Sequence, residues 1–221
     1  MKLSDYRIKE NIMWVAFYNQ NIGDVLLLTQ GDIPSEHLLV ESHGDITLMI
    51  DKHLDEVIGI NIFHISKDFE LPSNGVQHLT QDQWQVIQNK LDQAGINLNI
   101  DGDSSEKFVV GYVSECQPHE DSDHLSITQV QISDSTHLQI VCGASNIAQG
   151  QFVIVAKEGA VMPSGTIIWD GELRGVESHG MICSTRELGL THLSDEPGIW
   201  VLPDGFQAGT PLSEVVAVLS V

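Results

Sequence analysis

Hydrophobic positions in this chain come in short runs, broken every few residues by Gly, Asn, Asp or Pro. In the N-terminal half the runs are Ile12–Tyr18, Asp24–Thr29, Ile46–Ile50 and Val57–Ile65, all rich in β-branched and aromatic residues. That composition, bounded by turn formers, predicts strands. The period then changes. From Thr80 to Ala94 the apolar residues Trp84, Ile87 and Leu91 recur at helical spacing. Thr80 can cap the first turn with Gln83 three residues on, and Gly95 can end the helix. The expected architecture is a small α+β domain with an antiparallel sheet.

The C-terminal half has almost no long helical pattern. Lys107–Val113, Leu125–Ile132, Leu138–Cys142, Phe152–Ala156 and Thr166–Trp169 read as five strands. Such a set is compatible with a five-stranded OB barrel, although the pattern alone leaves other small β folds open. Pro163 and Gly165 suit a hairpin closure. Ala144–Ala148 is expected as a short helical turn. Ser184, with Glu187 three residues on, is expected to cap a brief helix through Leu188 that Gly189 stops. The fold class expected is mainly β, with an α+β N-terminal domain (1–100), a polar linker (101–106, within the acidic stretch Asn99–Glu106) and an OB-fold domain (107–221).

Composition adds limits. With 42% hydrophobic residues in 221 there is material for packed cores. No apolar run approaches the roughly 20 residues of a spanning helix, and the stretch Met1–Arg7 lacks a signal-peptide core, so a cytoplasmic protein without membrane contact is expected. Cys116, Cys142 and Cys183 are widely spaced and odd in number, which reads as reduced, part-buried thiols rather than a disulfide framework. His119 and His124 sit among acids in a loop with neither zinc nor calcium-loop spacing, so no metal is expected there. No phosphate-binding glycine loop and no nucleophile–base pair stands out; catalytic residues and cofactors are expected to be none.

Ordered motifs carry the resemblance. Gly111-Tyr112-Val113 leads to Pro118-His119, then Asp123-His124-Leu125. Ile140-Val141-Cys142-Gly143-Ala144-Ser145-Asn146 follows, with Gly159-Ala160-Val161-Met162-Pro163 and Gly165 after it. Leu173-Arg174-Gly175-Val176-Glu177-Ser178-His179-Gly180-Met181-Ile182-Cys183-Ser184, trailed by Glu187-Leu188-Gly189-Leu190, closes the series. From about residue 107 to 210 this order resembles the tRNA-binding domain of the bacterial phenylalanyl-tRNA synthetase beta chain, an OB-fold. With its unrelated first half, the whole chain is most similar to the stand-alone YtpR family. The resemblance implies a non-catalytic tRNA-binding protein. Arg174 offers a planar fork for phosphate or base edges, Lys157 a second charge, and Asn146, Ser178 and Ser184 hydrogen-bonding groups. Tyr112 or Trp169 would stack a base if exposed. Local alternatives stay open for each: Arg174 can pair with Glu172 or Glu177, and Ser178 and Asn146 can satisfy turn backbone.

Charge modifies this expectation. The chain carries a formal net charge of -21. The split is even, at -11 for residues 1–106 and -10 for residues 107–221, where Lys107, Lys157, Arg174 and Arg186 are the only Lys or Arg residues. Phosphate neutralisation supplies most non-specific RNA affinity. The alternative function is therefore a protein-interaction module that docks on an aminoacyl-tRNA synthetase or forms a homodimer, with RNA binding weak or lost.

Overall fold

A computed structural model of the chain describes residues 13–71, 74–100, 102–103 and 105–220. Ile12 of the first expected strand, the Met1–Arg7 stretch, and Asp101 and Ser104 of the expected linker lie outside the described residues. The chain divides into two compact units, Met1–Ser105 and Glu106–Val221.

The first unit is a six-stranded antiparallel sheet backed by one helix. Its strands are β1 (Val15–Tyr18), β2 (Val25–Thr29), β3 (Leu38–His43), β4 (Ile46–Asp51), β5 (Glu56–Phe63) and β6 (Gly75–Gln77), in spatial order β3-β4-β5-β2-β1-β6. Alternation decides which face is covered. Leu26, Leu28, Leu48, Ile50, Ile60 and Ile62 all point to one side and are essentially inaccessible to solvent. Helix α1 (Gln81–Gln93) lays Trp84, Ile87 and Leu91 against them. Burying each such side chain contributes about 1.5–3 kcal/mol. The capping box forms as the sequence predicts: Thr80 Oγ1 accepts from the Gln83 N–H, and the Gln83 side chain accepts from the Thr80 N–H. Two strands were not expected, β3 and β6. β3 is an edge strand whose Leu38, Leu39 and Val40 are exposed, so it lacks the buried-face alternation that sequence reading relies on.

The second unit is built on a curled antiparallel sheet of an OB-like kind. Its strands are β7 (Phe108–Pro118), β8 (Ser126–Gln131), β9 (His137–Cys142), β10 (Phe152–Ala156), the short hairpin β11 (Gly171–Leu173) and β12 (Val176–Ser178), β13 (Met181–Cys183) and β14 (Val201–Leu202). The main sheet runs β13-β10-β7-β8-β9, with β14 beside β10. β7 makes the curl. It pairs with β10 through residues 108–112 and with β8 through 112–118, and a register shift between Val113 and Glu115 bends it between the two partners. The open side is bridged where the β12–β13 segment meets β9. The His179 N–H donates to the Gln139 carbonyl at 2.8 Å. The Val141 N–H donates to Ser178 Oγ at 3.1 Å.

Three expectations in this unit are corrected. Thr166–Trp169 is not a strand; it folds back on residues 159–162 around a single bridge, Val161 to Ile167, and the fifth strand of the main sheet is β13. The segment is too short and too close to its own turn to reach a second partner. Residues 144–148 hold one loose turn instead of a helical one, with the Ile147 N–H on the Ala144 carbonyl at 3.4 Å. Ser184 does cap, but the residues after it form a single turn closed by Gly189, without an assigned helix. The C-terminal helix α2 (Leu212–Leu219) was not expected either. Leu212, Val215 and Leu219 recur at helical spacing there, and all three join the core with Trp200 and Leu202.

Candidate nucleic-acid interface

The signature segment builds the rim of the barrel seam. β11 and β12 are joined by Arg174-Gly175, with φ of 47° and 82°, a two-residue loop with both residues left-handed. Asn is the residue that accommodates the first position well; arginine does so at a cost of about 1 kcal/mol. Arg174 is exposed, and its Nη1 donates to the Asp121 carbonyl only at 3.5 Å, the outer limit of a hydrogen bond. The hairpin is held in place from below by His119. That residue is 5% exposed; its Nδ1 accepts from the Asp121 N–H at 3.0 Å and its Nε2 lies 3.4 Å from the Leu173 carbonyl. His119 thus ties the acidic 119–123 loop to the hairpin. Among the described residues there is no group of three or more His, Cys, Asp or Glu arranged to hold a metal ion.

The other candidate residues are placed differently from one another. Ser178 is buried and spends its hydroxyl on the Val141 N–H, so it acts as a seam fastener. Asn146 is a clasp: its Nδ2 donates to the Ile199 carbonyl at 2.9 Å, and its Oδ1 accepts from the Ile199 N–H at 3.0 Å. Gly198 next to it has φ of 91°, and any Cβ there would land on the Asn146 amide. Ser184 Oγ and N–H both donate to Glu187 Oε2 at 2.7 Å. Lys157 follows β10 and is half-buried; its Cα lies beside Gly180, which brings it to the end of the signature segment. Tyr112 packs against Phe152 with ring centroids 5.1 Å apart, and Trp169 is half-buried. Lys157 therefore meets the segment at Gly180, Arg174 stands at the tip of the hairpin that leads into it, and Ser178 and Asn146 are internal fasteners to Val141 and Ile199.

His179 adds a titratable charge to the rim. Its Nδ1 is 2.8 Å from Asp170 Oδ2 and its Nε2 is 3.7 Å from Glu177 Oε2. The hydrogen bond to Asp170 is the largest cause holding its pKa above the ordinary 6.5, with Glu177 and Glu158 adding to it. A raised pKa means the folded state binds this proton more tightly than the unfolded one. The pair's contribution to stability is thus complete below pH 6.5 and is lost as pH rises through the raised value. An NMR titration of the His179 ring is expected to show a midpoint above 6.5 that falls back in Asp170→Asn; an unchanged midpoint in that variant would contradict the assigned cause.

Two of the three thiols, Cys142 and Cys183, are buried. Cys183 is fully buried, donates to the Met181 carbonyl at 3.7 Å, and is pushed up to about 12 by desolvation, with the Glu187 charge adding to it. Burial likewise raises Cys142.

Beside the seam, below Ser184, lies a cleft of about 430 Å³ between the end of β9, the start of β13 and residues 196–199. Arg186, Glu187 and Glu196 line it together with apolar side chains. In the sequence Glu187 stands out as a capping residue and as part of the trailing motif, and Glu196 does not stand out at all; two residues from different loops carry no shared spacing.

Comparison with known proteins agrees with the two-unit division. The family model described as "Putative tRNA binding domain" matches residues 108–211. A model described as a domain of unknown function matches residues 34–103. A relative from Bacillus subtilis, named "Putative tRNA-binding protein YtpR", is 45% identical over 195 residues, covering 88% of this chain and 96% of its own. The phenylalanine–tRNA ligase beta subunit of Oceanobacillus iheyensis is 48% identical over 124 residues, 52% of this chain and 15% of that protein. The beta subunit of Sulfurimonas denitrificans is 53% identical over 103 residues, 45% of this chain and 13% of its own. The chain thus spans less than a fifth of either synthetase subunit.

Proposed function

We propose, since the chain belongs to the YtpR family, that it is a non-catalytic tRNA-binding protein whose C-terminal unit meets RNA along the rim formed by Arg174, Lys157 and residues 178–181. Within it Ser178 fastens the segment to β9, while Asn146 and Ser184 brace Ile199 and Glu187 beyond it. The observation that carries the reading is Arg174. An exposed arginine occupies a left-handed position at a hairpin tip, where Asn would be less strained, and makes one marginal hydrogen bond. Strain at an exposed cation with so little internal reward fits a group kept for an external anion. The description of the matched domain and the name of the Bacillus subtilis relative support the same reading.

Recognition of this kind rests on shape more than on charge. With Lys107, Lys157, Arg174 and Arg186 the only Lys or Arg residues after residue 106, the log–log salt slope is expected to be no steeper than about -4. The test is titration of tRNA into the full chain over a salt series, with Arg174→Asn as the variant. That substitution suits the left-handed position, so it is expected to stabilise the unit by about 0.5 kcal/mol while weakening tRNA binding about tenfold. No saturable binding at low salt, or equal binding by the variant, would remove the reading.

One observation favours a second reading, a protein-docking module. Glu120, Asp121 and Asp123 stand in the loop tied to the Arg174 hairpin, so the rim's best cation has an acidic neighbour. A synthetase or a second copy of the chain would then be the partner. Recovery of the same partner after nuclease treatment would support it; loss of all partners on nuclease treatment would count against it.

A further inference from the structure

The cleft beside Ser184 is suited to a ligand that phosphate chemistry does not describe. Its walls include Met181, Pro197 and Ile199, which offer apolar faces. Two carboxylates and one guanidinium stand around them: Glu187, Glu196 and Arg186. A phosphate would be repelled by the two acids. A flat group with donors on one edge and acceptors on the next would be matched on both.

Glu187 is the fixed part. The Ser184 N–H and hydroxyl both donate to its Oε2 at 2.7 Å, and its own N–H donates back to Ser184 Oγ at 3.1 Å. Its Oε1 has no hydrogen-bond partner among the described residues, so one acceptor is held in place and unspent. The Glu196 carboxylate likewise has no partner among the described residues. Arg186 reaches Asp195 at 3.3 Å with both side chains more than three-quarters exposed, a pairing worth little and easily shared. Acceptors that are already oriented lose little freedom on binding.

We propose that this cleft receives one unstacked guanine of a bound RNA. Guanine is the base that places two donors, N1–H and N2–H, on one edge and two acceptors, O6 and N7, on the adjoining one. The donors meet Glu187 Oε1 and Glu196. Arg186 serves the acceptors. The apolar walls take the ring faces, as stacking surfaces do for splayed single-stranded bases. Adenine, cytosine and uracil each lack part of that set. This inference rests on the tRNA-binding reading for its biological occasion, but the cleft can be tested without tRNA.

Guanosine, adenosine, cytidine and uridine are titrated separately into the full chain, with the backbone amides of Gly198 and Ile199 as the NMR readout. Guanosine is expected to move both amides, and the other three nucleosides to do so at least about tenfold more weakly. In Glu187→Gln the amide oxygen can keep the bonds from Ser184 while the NH₂ turns toward the cleft, so the preference for guanosine is expected to vanish with the fold intact. Glu196→Gln, on an exposed loop, is the second variant and is expected to weaken guanosine about tenfold. Equal responses to all four nucleosides, no response, or unchanged guanosine binding by both variants would overturn the proposal. So would tRNA that binds without shielding any unpaired guanine from a reagent directed at N1 and N2. Failure of tRNA to bind, with guanosine still selected, would sink the tRNA reading and leave the guanine site standing.

Discussion

Gly180→Ala is expected to cost the C-terminal unit about 3 kcal/mol or more. Gly180 has φ of 117°, a conformation that side-chain-bearing residues adopt at a cost of about 1–3 kcal/mol. The added Cβ would also lie 2.7 Å from the Ala156 carbonyl oxygen. That oxygen belongs to the backbone of β10, whose Ala156 is paired with Met181 on β13, so it cannot move without opening the strand pair. Hydrogen exchange of the Val155 and Ile182 amides in the full chain reads the loss directly, because both lie in that pair. Gly171, in the same hairpin system, has no atom within 4 Å of its notional Cβ, and Gly171→Ala is expected to change stability by less than about 0.5 kcal/mol. Similar exchange rates in the two variants would show that the close approach at Gly180 is not what constrains the segment.

The second large effect is expected at Asn146. Its amide makes both bonds that Ile199 would otherwise make to a neighbouring strand, and Ile199 is 5% exposed. Asn146→Leu leaves the Ile199 N–H and carbonyl without partners, at about 1–3 kcal/mol for each buried group, so a loss of about 2–4 kcal/mol is expected. Asn146→Asp keeps the acceptor, loses the donor and sets a carboxylate against a carbonyl, so it is expected to be no better. The Ile199 amide should exchange fastest of all in these variants. If Asn146→Leu kept wild-type stability and lost only tRNA affinity, Asn146 would be an RNA contact rather than a clasp. That outcome would move the interface toward residues 196–199.

Legibility in the sequence was uneven, and particular residues show why. The α1 cap was readable because Thr80 and Gln83 act over three residues of one segment. The turn at Pro163 and Gly165 was readable for the same reason: the Met162 N–H bonds the Thr166 carbonyl at 2.8 Å within that turn. β3 was not readable, since an exposed edge strand has no buried face to impose alternation. β13 and β14 are three and two residues long, too short for any period to show.

The candidate site divides the same way. Arg174 stood out because its neighbours form a recognisable order, and its left-handed conformation only came to light in the fold. Ser178 and Asn146 were named for polarity and motif position. The tertiary structure gives their hydrogen bonds to Val141 and Ile199, 37 and 53 positions away, which no local pattern records. The cleft with Glu187 and Glu196 lay beyond reach for a related reason, since it is assembled from the end of β9, the start of β13 and a later loop.

From its sequence alone this protein is determined in class and lineage: β-rich halves, one capped helix, an acidic surface and a tRNA-binding-type signature in the second half. These arise from side-chain size, charge and short-range spacing, which are written in consecutive residues. Only the tertiary structure decided which signature residues face outward and which fasten the barrel. That choice depends on which distant backbone groups are left unpaired when the sheet curls, and unpaired buried groups cost enough to claim the nearest polar side chain.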